Sequence, residues 1–363
     1  MSENSRRVSP TIFGLKGTAF SDEEAGFFHA ARPWGVILFA RNIESRDQLR
    51  QLTGSLRDAS GNPHLPILID QEGGRVARLR PPLVRDYPAA GVYRTRYAQD
   101  PEAALKAARL GGYLLAADLH DMGINVNCAP CLDLGLVGMS EVIGDRAFGD
   151  DVETIVALAS AFMAGQAEAG VVSIAKHLPG HGRARVDSHV ELPVVEAARE
   201  QLEATDFEVF KRLNDTPLGM TGHLKFTAID AENVSTFSPI VMQRVIRQHI
   251  GFSGAIMSDD LSMHALSGDF ASRARLSLAA GCDLILHCNG DSDEMQAIMH
   301  GVEAWQAADE AAQQRDGAFA RIAGVNQLLA DLPKTLDAAQ RAAAQQDWGE
   351  LIGKIFPDAL NAV

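Results

Sequence analysis

The chain is poor in several things, and each shortage argues against something. Cysteine is scarce, with four in 363 residues. That does not make the disulfide framework of a small secreted domain. Long apolar runs are missing. The longest, such as 34–40, fall far short of the ~20 residues that a membrane helix needs. Positive charge is short as well: 33 Lys plus Arg against 47 Asp plus Glu, a net charge of −14. This argues against a nucleic-acid binder, whose affinity comes largely from neutralising phosphates. It also argues against a surface held to anionic lipid. The N-terminus, MSENSRRVSPTIFGLKG, has two arginines but no apolar segment behind them, so no secretory signal is read. The expected location is the cytoplasm. Motifs are missing too. There is no Walker or Rossmann phosphate loop and no Gly-x-Ser-x-Gly elbow.

What is present is ordinary globular composition, 46% hydrophobic and 22% charged. At ~150 residues per domain the length suggests two domains, but α/β barrels run longer as one unit. Short apolar runs recur at 10–15, 35–40, 66–70, 124–130, 171–177, 218–223, 254–259 and 282–288. They are rich in Val, Ile, Leu or Phe and mostly lack polar alternation, as strands do when both faces are covered. The segments between them have helical spacing. Leu105, Ala108, Leu110, Leu114 and Leu115 are one example. Strand and helix alternate, which is the α/β pattern.

Polar residues choose between a closed barrel and an open sheet. Asp70, Asp133, Lys176 with His177, His223, Asp259 and Asn289 all lie at or just past the C-terminal ends of runs. A barrel builds its site from many strand ends, whereas an open sheet gathers it at one switch point. The expected fold is therefore an α/β (β/α)8 TIM-type barrel. It is read as one domain over 1–363, with a barrel core at about 10–290 and a helical tail at 291–363. In the tail, Phe319, Ile322, Val325, Leu328 and Leu332 share a face.

Four stretches carry chemistry. In Asp70-Gln-Glu-Gly-Gly-Arg75-Val-Ala-Arg78 a strand-end carboxylate meets glycines, which allow close backbone approach, and two arginines. Asp70 could accept two sugar hydroxyls or simply staple a turn with an arginine. Lys176-His177-Leu-Pro-Gly-His181-Gly is followed by Asp187-Ser-His189. Three histidines and an aspartate fall within thirteen residues, and the Pro-Gly and His-Gly steps make the segment after His177 a loop. Metal binding is one reading, although the spacing fits no standard zinc pattern. A proton-transfer pair, with Asp187 holding His189, is the other.

Ser258-Asp259-Asp260 ends a buried run. Successive side chains on extended backbone oppose, so one acid should face substrate while the other is structural. In Ile143-Gly-Asp145-Arg146, the arginine is either a ligand clamp or the partner of Asp145 or Asp150. Cys128 and Cys131 are spaced C-x-x-C. They read as small buried residues rather than a redox pair or half a metal site.

These stretches resemble glycoside hydrolase family 3, and most closely the bacterial cytoplasmic β-N-acetylhexosaminidases of peptidoglycan recycling. The resemblance covers residues from about 10 to about 290. It rests on KHLPGHG followed by DSH, and on IDQEGGRVARLR, APCLDL, IGDRAF, SDDLSM and GCDLILHCN. It implies Asp259 as nucleophile, His189 as acid/base and Asp187 as its orienting partner. It implies Asp70, Arg78, Arg146, Lys176 and His177 as sugar-binding residues. Leu178 stands where relatives often carry Phe, and the loop Arg183-Ala-Arg185-Val is this chain's own.

The implied reaction is a retaining double displacement through a glycosyl-aspartate. The general scheme uses two carboxyl groups, and here a histidine would replace one. Many β-glucosidases of the family carry a sandwich domain after the barrel, which these residues could not form. The N-acetylglucosamine branch is therefore expected. The implied substrate is N-acetylglucosamine β-linked to 1,6-anhydro-N-acetylmuramic acid, with or without peptide. No cofactor and no metal are expected. The expected partner is a small carbohydrate, without nucleic acid or membrane, and the expected state is a monomer. The competing readings are a phosphorylase, a β-glucosidase of the same family, acetamido-assisted hydrolysis and a non-catalytic sugar-binding barrel.

Overall fold

In the computed structural model the described residues are 8–139, 141–186, 191–333 and 335–357. Among them are ten strands: β1 (Ser9–Gly14), β2 (Pro33–Leu38), β3 (Ile67–Ile69), β4 (Val126–Asn127) and β5 (Val172–Leu178), then β6 (Val194–Val195), β7 (Leu218–Thr221), β8 (Lys225–Phe226), β9 (Ala255–Asp260) and β10 (Leu284–His287). Eight of them close a parallel barrel in the order β1-β2-β3-β4-β5-β7-β9-β10, with β10 pairing back on β1. The remaining two, β6 and β8, form a short parallel pair of their own. Each of the eight apolar runs supplies one barrel strand, so the α/β barrel expected from the sequence is the fold.

The strands are mostly apolar because they are covered twice. Ile12, Ile37, Leu68, Val126, Cys128, Ile174, Met220, Met257 and Leu286 belong to one buried cluster that fills the barrel. The ring of helices covers the outside. Their starts follow local chemistry. Ser45, Asp100, Asp151, Asp269 and Asp291 each accept a backbone N–H of the first turn, satisfying donors that the helix itself leaves open. The helix Ser292–Ala307 packs through Met295, Ile298, Val302 and Trp305 into the cluster that also holds Phe13, Ala274 and Leu278. It is thus part of the ring.

The helix Ala312–Ala330 plugs the barrel floor. Ile322, Val325 and Leu329 join the interior cluster, with Phe319 and Leu332 packed against it. Leu328, read from spacing as part of that face, is instead exposed, and Leu329 takes its place. Trp34 Nε1 donates to Asn326 Oδ1 at 2.7 Å. Asp283, at the floor end of β10, accepts from Arg247 Nη2 at 2.6 Å and from Ile256 N at 2.8 Å. It also accepts from Arg321 Nε at 3.0 Å and Arg321 Nη2 at 2.6 Å. The last helix, Ala338–Ile352, lies against the helix Pro101–His120. Arg341 pairs with Asp118 and Asp121, and Trp348 packs on Tyr87. Among the described residues no helix is long and apolar enough to cross a membrane.

Candidate active site

The loop after β3 brings the first charges to the barrel mouth. Asn127 holds it at its root, accepting from Gln71 N at 3.0 Å and donating to Gln71 O at 2.9 Å. The Gln71 side chain then catches the returning chain, accepting from Arg78 N and Leu79 N. Gly73 and Gly74 make the reversal with φ of 100° and 56°. A side chain at Gly74 would start 2.6 Å from Ala89 Cβ, so the turn needs glycine there.

This fold of the loop makes one charged cluster. Asp70 accepts from Lys176 Nζ at 2.9 Å and from Arg78 Nη2 at 3.1 Å. Glu72 takes Lys176 Nζ at 2.7 Å. It also receives a bidentate clasp from Arg146, Nε at 2.9 Å and Nη2 at 2.8 Å. Burial would raise both carboxyl pKa values, but Lys176 with Arg78, and Arg146 with Lys176, hold Asp70 and Glu72 below the usual range. Burial would also lower the Lys176 pKa, yet Asp70 and Glu72 push it up. Asp70, Glu72, Lys176 and Arg146 therefore stay ionised near neutral pH. Arg78 Nε is buried with no hydrogen-bond partner, and the Phe39 ring lies 5.4 Å from its guanidinium carbon.

The second part hangs on Asp133, which is wholly buried. It accepts from His177 Nδ1 at 2.6 Å, from His181 N at 2.6 Å and from His177 N and Cys131 Sγ at 3.3 Å each. A carboxylate at Nδ1 fixes that nitrogen as the donor and leaves Nε2 as the lone-pair side. His181 is buried beside it, with ring centres 5.6 Å apart. Neither ring nitrogen of His181 finds a partner among the described residues. Burial and the neighbouring His177 lower its pKa to about 4. Donor atoms of Cys131, Asp133 and His177 lie within 4.8 Å of one another, and hydrogen bonds link them.

At the end of β9 the two acids divide. Asp260 is locked into the backbone, accepting from Ser262 N at 3.0 Å, Ser262 Oγ at 2.6 Å and Cys288 N at 3.1 Å. Asp259 Oδ1 accepts from Asp260 N at 2.8 Å. Behind them His223 is wholly buried. Its Nε2 donates to Asp260 O at 3.0 Å, and its Nδ1 meets Thr236 Oγ1 at 2.8 Å. The thiol of Cys288 is raised by burial and then by Asp260, Asp70 and Asp259.

Of the residues singled out in the sequence, Asp70, Arg78, Arg146 and Lys176 meet in one cluster. His177 joins Asp133 in the second, and Asp259 stands at the end of β9. Asp187 and His189 lie outside the described residues. Sequence reasoning missed Glu72, which binds two of the cations. Its signal was its two-residue spacing from Asp70. Arg146 does not pair with Asp145 or Asp150. Asp145 goes to Arg75 at 2.9 Å, leaving Arg146 for Glu72.

Comparison with known proteins agrees with this geometry. The profile of the glycosyl hydrolase family 3 N-terminal domain matches residues 14–325. A β-hexosaminidase of Alkalilimnicola ehrlichii is 43% identical over 286 residues, 78% of this chain and 81% of the relative. Among solved structures, NagZ from Neisseria gonorrhoeae superposes with a TM-score of 0.80 at 30% identity, covering 95% of this chain and 98% of that one. A family 3 β-N-acetylglucosaminidase from a Paenibacillus species gives 0.84 at 28% identity, covering 96% and 67%. This chain therefore belongs to glycosyl hydrolase family 3, as a carbohydrate-cleaving enzyme of its β-hexosaminidase group.

Proposed function

We propose that the chain is a retaining exo-β-N-acetylhexosaminidase. It removes non-reducing N-acetylglucosamine from muropeptide fragments, N-acetylglucosaminyl-1,6-anhydro-N-acetylmuramic acid with or without peptide, in peptidoglycan recycling. The observation that carries the reading is the division of the β9 acids. Asp260 is committed to Ser262 and Cys288 N. That leaves Asp259 as the β9 acid for attack.

Asp259 attacks the anomeric carbon as the bond to the leaving oxygen breaks, and protonated His189 gives that oxygen its proton. Neutral His189 then takes a proton from water, whose oxygen attacks the same carbon and frees Asp259. Asp187 orients the imidazole. Histidine suits the task because it titrates near neutral pH, where an ordinary carboxyl is ionised. Asp70 spends one interaction per oxygen on Lys176 and Arg78, so lone pairs remain for sugar hydroxyls. The part-exposed guanidinium of Arg78 offers donors to sugar oxygens, and His177 Nε2 is an acceptor. Lys176 and Arg146 hold the anionic wall in place.

The domain is read as single over 1–363, acting as a monomer. The cytoplasm is its proposed location, where four free thiols fit a reducing compartment.

The test is hydrolysis of an aryl β-N-acetylglucosaminide, compared with the glucoside and galactosaminide. Asp259→Ala should lose about 10⁴-fold in kcat, and a fluorinated slow substrate should label Asp259. Turnover unchanged in Asp259→Ala would sink the assignment. Sugar 1-phosphate formed when phosphate is added would turn the reading to a phosphorylase.

A further inference from the structure

The loop that presents Asp133 and Arg146 has a second side, and a cavity of about 300 Å³ lies against it. Leu134, Leu136, Met139 and Ile143 of that loop supply apolar wall. Gly182, the residue after His181, and Arg94 of the helix Ala90–Tyr97 also line it. The cavity thus shares its walls with the segments that hold Asp133, His177 and Arg146.

Arg94 is the unusual member. Its neighbours are matched: Arg75 with Asp145, Arg146 with Glu72 and Arg96 with Asp100. Arg94 is partly buried, and its side chain makes no hydrogen bond or ion pair with any described residue. A side chain at position 135 would start 3.1 Å from Arg94 Nη1, so Gly135 leaves the guanidinium its room. In a chain of net charge −14 an arginine without an acid, lining a cavity, is an open fork for a carboxylate. Glu141 also lines the cavity, and as an exposed residue it offers a carboxylate to amide N–H donors. Apolar wall, a carboxylate acceptor and an amide acceptor together describe a short acidic peptide.

We infer that this cavity is a subsite for the acidic peptide carried by the aglycone sugar, with Arg94 binding a peptide carboxylate. The inference rests on the muropeptide reading above. It is tested with three substrates on the full chain: an aryl β-N-acetylglucosaminide, the anhydro-disaccharide without peptide, and the same disaccharide bearing its acidic peptide. In Arg94→Met, KM for the peptide-bearing fragment should rise about tenfold, the size of a lost charged hydrogen bond, with kcat unchanged. The other two substrates should stay within about twofold, and Arg94→Lys should recover part of the loss. A melting temperature equal to wild type separates this from misfolding. Equal KM changes for all three substrates, or none for the peptide-bearing one, overturn the subsite. If wild type cleaves the aryl glycoside but neither fragment, the muropeptide reading fails and takes the subsite with it.

Discussion

The barrel carries a buried ion network at each end, and the two are built differently. At the floor, the acid is Asp283. Arg247, Arg321 and Ile256 N occupy its oxygens with four hydrogen bonds. At the mouth, three cations, Arg78, Arg146 and Lys176, share two carboxylates. Asp70 takes one donor per oxygen, and Arg78 Nε has none to serve. The residue types are the same. An acid that takes four donors fastens a helix to a barrel, whereas one that takes two keeps lone pairs for a substrate. Burying either is costly unless it is paired, so only the mouth network needs another reason to exist.

Substitutions can break this contrast. The largest effect is expected at Lys176. Lys176→Met leaves Asp70 and Glu72 without their shared cation, which should cost about 3–5 kcal/mol of stability and at least about 100-fold in kcat/KM. Chemical denaturation and aryl-glycoside kinetics measure both, and intact activity would show that the mouth network is structural only. Asp283→Asn comes next. It should also lose about 3–5 kcal/mol, but with kcat/KM per folded molecule unchanged. A catalytic defect there would erase the distinction between the two ends.

The smallest effect concerns His181. Its pKa falls from the ordinary 6.5 to about 4 in the folded chain. Between those values the unfolded chain binds more protons, so stability drops as pH falls from about 6.5 to about 4, by at most about 3 kcal/mol. Leucine at 181 should flatten that slope, read from melting temperatures at several pH values. An unchanged slope means that His181 is not the titrating group.

The barrel was legible because its strands are unbroken apolar runs with polar residues at one end. The split of Asp259 from Asp260 was legible from strand alternation, although which acid was structural was not. Other features depend on partners far away in sequence. Arg146 reaches Glu72 across 74 positions, and no local pattern announces that. Pro-Gly-His181-Gly reads as a solvated loop, yet His181 is buried because Gly182 lets its backbone close on Leu134. Leu328 and Leu329 are both leucine, and only the docked helix says which one turns inward.

One pairing bears on how the chain is made. The first strand, β1, closes the barrel by lying beside the last, β10, with Ile12 opposite Leu286. During synthesis at ~5–20 residues per second, β1 waits on the order of tens of seconds for that neighbour. Its unsatisfied edge is a pairing hazard throughout. Closure then brings Asp283 into position, and Arg321 arrives only with the helix that follows. The earliest part of the chain to emerge is therefore among the last to be completed.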